Sequence, residues 1–152
     1  MAIQNDGDII RGLGNVALYC AYLEEAIDGV LTALDTVGIQ LPPGNEKWPA
    51  SRKISFCRGQ ISHLTKSTPD MAALDLVLVR STEILDRRND VIHGRLYGKT
   101  GRDDGVRKTG RLGVPDRNID ASELYELAVD ADDASSALVL KTFAIHRDLS
   151  SR

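Results

Sequence analysis

The stretch Pro69–Gly94, PDMAALDLVLVRSTEILDRRNDVIHG, decides how this chain folds. Leu74, Val77, Leu78, Ser81, Ile84, Leu85 and Ile92 fall at the spacing of one helical face. The start is marked too. Thr68 can cap, Pro69 suits the first helical position, and Asp70 favours the positive end of the helix dipole. The pattern predicts a long helix from Asp70 toward His93. Gly94 should end it, because glycine accepts the left-handed conformation common just past a helix terminus.

Outward from this helix, the same period recurs. Toward the N-terminus, Ile54, Cys57, Ile61 and Leu64 predict a helix over Ser51–Lys66. Before it, QLPPGNEKWP reads as a loop, and Gly38 ends a first long helix from about Asp8 to Val37. That helix should bury Ile9, Leu13, Val16, Cys20, Leu23, Ile27, Leu31 and Leu34. Toward the C-terminus, GRLYGKTGRDDGVRKTGRLGVPDRN excludes a helix. Its halves RLYGKT and VRKTGRL flank RDDG, which predicts a short β-hairpin with a DG turn. Asp120 to Glu123 then fits a capping box that opens a last helix. Leu124, Leu127, Ala131, Ala134, Leu138, Ile145 and Leu149 carry it to about Leu149. The expected fold is all-α: an antiparallel up-and-down four-helix bundle in one domain, with a short basic β-hairpin or loop between helices 3 and 4.

Composition narrows the function classes. The 152 residues are 42% hydrophobic and 27% charged, which suits one ordinary globular domain. Aromatics make up 5%, too few for a large aromatic-lined cofactor cavity, and no cofactor is expected. Apolar runs such as MAAL, LVLV and ALVL are far short of the roughly 18 residues of a membrane span. The first residues, MAIQNDGDIIRG, do not read as a secretory signal. Cys20 and Cys57 match no metal spacing and are expected reduced and buried, in a cytoplasmic protein. Net charge is −3, which argues against indiscriminate nucleic-acid binding. The charge is uneven, however. Between Asp86 and Arg117 nine basic residues face five acidic ones, a local +4 that leaves −7 elsewhere. A basic zone on an acidic body suits an anionic partner at one place, or a solvated loop.

Several apparent motifs lead nowhere. Gly94–Thr100 is one residue too short for a phosphate-binding GxxxxGK[ST] loop and follows a helix, not a strand. His63 and His146 have no partner at metal-ligand spacing, and no metal site is expected. Glu24 and Glu25 read as solvent-facing or paired with arginine. What remains is Arg88, Asn89 and His93. Asn89 and His93 are four apart and share a helix face. Arg88 and His93 are five apart, about 140° around the axis and roughly 7.5 Å along it. One helix does not bring those two onto one phosphate, but two copies crossing at a twofold axis could. Such a set suits RNA. Histidine titrates near neutrality, so two histidines could take the 2′-hydroxyl proton and return one to the leaving 5′-oxygen. Arg88 would hold the phosphate and its growing charge, and Asn89 would orient His93 or the phosphate. DNA lacks the 2′-hydroxyl this chemistry needs. The same residues also suit a plain helix C-terminus, where cations are favourable and Asn is common.

Arg88-Asn-Asp-Val-Ile-His93 resembles the Arg-x(4–6)-His motif of HEPN domains. In that family a polar residue commonly follows the arginine, as Asn89 does here. The helical layout is similar over most of the chain, and the motif covers six residues. The resemblance implies a homodimer whose facing motif helices build one composite site. It implies metal-independent cleavage of RNA leaving a 2′,3′-cyclic phosphate, in toxin–antitoxin, abortive-infection or other defence systems, with a cognate antitoxin protein as a possible partner. Some toxins of the family carry a tyrosine two residues after the histidine. Here Arg95 stands there and Tyr97 comes two later. Other members only bind RNA, nucleotides or proteins. Arg88 and His93 are therefore the expected catalytic pair, with Asn89 in support. Arg87, Arg95, Tyr97 and Lys99 are expected RNA contacts, from the local positive charge and one stackable ring.

Overall fold

In a computed structural model the described residues form four α-helices and three short strands. They are α1 (Ile9–Thr36), α2 (Ala50–His63), α3 (Pro69–Ile92), β1 (Gly94–Gly98), β2 (Gly105–Thr109), β3 (Arg117–Ile119) and α4 (Ala121–Leu149). A 3-10 turn, Asn45–Lys47, interrupts the loop between α1 and α2. The structure describes residues 3–63, 68–98, 105–109 and 117–149. Leu64 and the expected RDDG turn lie largely outside them.

The helix ends follow the local chemistry. Asp8 Oδ1 accepts the Arg11 N–H at 2.9 Å and caps α1. Gly38, at φ 92°, closes α1: its N–H reaches Asp35 O at 2.9 Å and the Ile39 N–H reaches Leu34 O at 3.0 Å. That is the Schellman arrangement, which needs a residue comfortable at positive φ. Thr68 Oγ1 accepts the Met71 N–H at 3.3 Å, so the expected cap of α3 is present. Asp120 Oδ1 accepts the Glu123 N–H at 2.8 Å and opens α4.

Contacts divide the chain into two compact units. One comprises Met1–Ala21 and Glu83–Asp132, the other Tyr22–Thr82 and Asp133–Arg152. Three helices, α1, α3 and α4, supply residues to both.

The unit Tyr22–Thr82 with Asp133–Arg152 packs the four expected helices as a bundle, but α1 and α4 are not opposed as the expected up-and-down order requires. Leu23, Ile27, Leu34, Ile54, Leu74, Leu78, Leu138 and Ile145 are fully buried. Each such side chain contributes about 1.5–3 kcal/mol through burial. The α3 and α4 segments are antiparallel: Thr68 Oγ1 donates to Asp148 Oδ2 at 2.7 Å, and Arg147 pairs with Asp70. The α1 and α4 segments advance in the same direction. Ser135 Oγ donates to Tyr22 O at 3.3 Å, and one turn-pair further on Gly29 lines a groove with Thr142 and Phe143. Buried Ser81 satisfies its hydroxyl within α3, donating to Val77 O at 2.8 Å.

The unit Met1–Ala21 with Glu83–Asp132 packs segments of α1, α3 and α4 with an antiparallel sheet of order β1-β2-β3. Gly94 pairs with Thr109 and Gly98 with Gly105, and Arg107 pairs in turn with Arg117. The expected hairpin is thus formed, with a third strand added. Three residues are too few for β3 to carry a readable alternation, yet its Ile119 is fully buried. Val16, Cys20, Ile84, Leu85, Val91, Leu124 and Leu127 complete this core, while Ile9 and Leu13 are only half-buried. Gly12 lets α1 approach α4 closely: a Cβ there would stand 3.0 Å from Leu124 Cβ. Tyr125 Oη donates to Asp6 Oδ1 at 2.6 Å in the same region.

Candidate functional site

The last two turns of α3 hold the residues singled out by the sequence. Counting along the buried stripe, Ile84 and Leu85 lead to position 88 and then to Val91. Arg88 therefore occupies a place where the pattern calls for an apolar side chain. It is half-buried, and its Nε lies out of contact with solvent. Val91 is 2% exposed, whereas Ile92, expected on the inner face, is 39% exposed. The inner stripe thus ends on Val91 and not on Ile92, because Arg88 hides the position that links Leu85 to Val91.

Asn89 and His93 are exposed. They are joined through the backbone: the His93 N–H donates to Asn89 O at 3.2 Å. His93 is thus held by the last helical hydrogen bond, one residue beyond Ile92. Gly94 does not form the expected left-handed cap but passes directly into β1, opposite Thr109. The sheet ladder takes the chain from the helix end, so no reversal is needed there.

The charged neighbours of the motif are committed to the fold. Arg87 Nη1 donates to Asp130 Oδ2 of α4 at 2.7 Å. Arg117, from β3, bridges two carboxylates: Nη2 donates to Asp90 Oδ2 at 2.9 Å and to Glu123 Oε1 at 2.6 Å, and Nη1 to Glu123 Oε2 at 2.8 Å. The hydrogen bonds to Glu123, then to Asp90, push the Arg117 guanidinium above its ordinary pKa. Arg117 thereby ties the motif helix to the first turn of α4. Of the expected RNA contacts, Arg87 faces Asp130. Arg95 and Tyr97 lie in β1, at register positions opposite Lys108 and Val106, and Lys99 lies outside the described residues.

Arg117, Asp90 and Glu123 were not legible as a group. Glu123 was readable as a capping-box residue, but its carboxylate takes Arg117. An ion triad assembled from a helix end, a three-residue strand and a helix start has no sequence period.

Among the described residues no group of three His, Cys, Asp or Glu side chains could hold a metal ion. His63 is exposed and His146 half-buried. Cys20 and Cys57 are buried and in no disulfide, and burial pushes the Cys57 thiol up to about 12. No described helix is long and apolar enough to cross a membrane. Compared with protein-family models, curated proteins and solved structures, the chain matches none.

Proposed function

We propose that this chain is a metal-independent endoribonuclease of the HEPN type, acting as a homodimer in a defence or toxin role in the cytoplasm, with an antitoxin protein as its natural restraint. One observation carries the reading. At the end of α3 the charges of Arg87 and Asp90 are taken up by Asp130 and Arg117, while Asn89 and His93 stay exposed beside Arg88. Ion pairs at Arg87 and Asp90 hold this end of the helix, and the side chains of Asn89 and His93 are open to a ligand.

In the reaction, His93 of one protomer takes the 2′-hydroxyl proton. The 2′-oxygen attacks the adjacent phosphorus and the bond to the 5′-oxygen breaks. The second protomer's histidine protonates that leaving oxygen, and a 2′,3′-cyclic phosphate remains. Arg88 stabilises the charge on the non-bridging oxygens, and Asn89 orients the imidazole or the phosphate. Arg95, Tyr97 and Lys99 would extend contact along the RNA strand.

The half-burial of Arg88 supports a second reading, in which the motif is an RNA-, nucleotide- or protein-binding surface without catalysis. Cleavage of end-labelled RNA in EDTA separates the two, using wild type, His93→Ala and Arg88→Ala prepared alike. The ribonuclease reading expects cutting by wild type alone, losses of about 100-fold or more in both variants, and cyclic-phosphate ends. RNA left intact but bound, with affinity falling as salt rises, selects the binding module. Equal cutting by all three marks a contaminant.

A further inference from the structure

On the unit Tyr22–Thr82 with Asp133–Arg152, α4 turns large apolar side chains outward. Val139, Leu140 and Phe143 are 53%, 71% and 67% exposed, and Tyr22 of α1, beside them, is 46% exposed. Val139 and Phe143 are four apart and follow one row of the helix, with Leu140 on the adjoining row. Next to them lies a groove of ≈ 580 Å³ whose lining includes Ala26 and Gly29, and whose one charged residue is Glu25. The surface thus has a projecting ring, Phe143, immediately beside a recess at Gly29. The exposed parts of the four side chains amount to roughly 450 Å², at the scale of the largest apolar patches on soluble proteins. That is more than half of the approximately 800 Å² that each partner contributes to a standard interface.

We propose that this α1–α4 face is a self-association surface and that its occupant is a second copy of the chain. A twofold interface must be self-complementary, each contact being made twice. A projection and a recess side by side meet that condition, because a twofold that sets Phe143 over the partner's Gly29 does so in both directions. The sparse charge and the aromatic content are those of a homodimer core. The surface shares no residue with the Arg88–His93 motif and does not depend on the ribonuclease reading.

The test is sedimentation equilibrium of the full chain over about 1–100 μM, with Phe143→Glu and Gly29→Leu. Gly29→Leu is the sharper variant. A Cβ at Gly29 meets no atom within 4 Å, so filling the recess leaves the protomer's own packing intact. Wild type should self-associate, and each variant should weaken at least tenfold the step that this face carries, whether that step pairs two chains or joins dimers already formed at the motif. Gly29→Leu should do so while raising the thermal midpoint at low concentration, since leucine favours a helix over glycine. A wild type that stays monomeric throughout overturns the proposal. So do variants that associate like wild type, which would put any dimer contact elsewhere, the α3 motif included. A wild type that associates through this face but leaves RNA intact would fell the proposed function and leave the surface standing.

Discussion

Around Gly12, α1 lies so close to α4 that an added Cβ would stand 3.0 Å from Leu124 Cβ and 3.2 Å from Tyr125 Cε2. Around Gly29, on the same two helices, an added Cβ would meet nothing within 4 Å. Both glycines cost their helix about 1 kcal/mol relative to alanine. At Gly12 close packing offsets that cost, with Leu124 and Tyr125 buried against the glycine and the Tyr125 hydroxyl fixed on Asp6. At Gly29 nothing in the protomer does. The exposed ring of Phe143 lies beside it, across a groove that Gly29 helps to line. The same residue type in one helix thus serves closure in one place and a recess in the other.

Substitutions can break this contrast. The largest effect belongs to Gly12→Leu, which forces a side chain against Leu124 and should destabilise the fold by about 3 kcal/mol, read as a fall in the urea midpoint. A midpoint like that of wild type would mean that α1 and α4 are not pressed together there. Tyr125→Phe keeps the ring and removes the hydrogen bond to Asp6, and should cost about 1 kcal/mol in the same assay. Gly29→Ala should move the midpoint the other way, stabilising by about 0.5–1 kcal/mol. Destabilisation at Gly29 would show that the groove is filled in the folded protomer, and the comparison would fail.

The smallest effect is one of pH, at the junction of α3 and α4. Hydrogen bonds from Arg147 and then Thr68 hold the Asp148 carboxyl below its usual pKa. Its contribution is therefore complete above the ordinary carboxylate range, near pH 4. It is lost as pH falls through the lowered value. Asp148→Asn should unfold slightly more readily than wild type at neutral pH, and the two melting curves should converge in acid. A gap that persists at low pH would assign the effect to something other than this charge.

The four helices were legible because each repeats a local rule many times. In α1, Val16, Cys20, Leu23, Ile27, Leu31 and Leu34 are all buried, as their spacing required. The caps at Thr68 and Asp120 were readable because a cap involves residues three apart in sequence. The inner stripe of α3 failed at its last turn, where Arg88 occupies an inward position and breaks the apolar count. β3 escaped notice because three residues carry no period. For the candidate site, Arg88, Asn89 and His93 could be named from spacing and chemistry. The partners that fix their neighbours could not: Arg117 reaches Asp90 across 27 residues of sequence, and Arg87 reaches Asp130 across 43.

The sequence by itself determined where helices start, which face of each is apolar and where the basic segment lies. Those properties depend on residues within one or two turns of each other, and propensity, capping and period act at that range. Only the tertiary structure decided which glycine is a contact and which a recess, that α1 and α4 advance together, and that Arg117 bridges two carboxylates. Each of these is a meeting between segments distant in the chain. Their proximity is set by how several apolar faces are buried at once, and no local pattern records it.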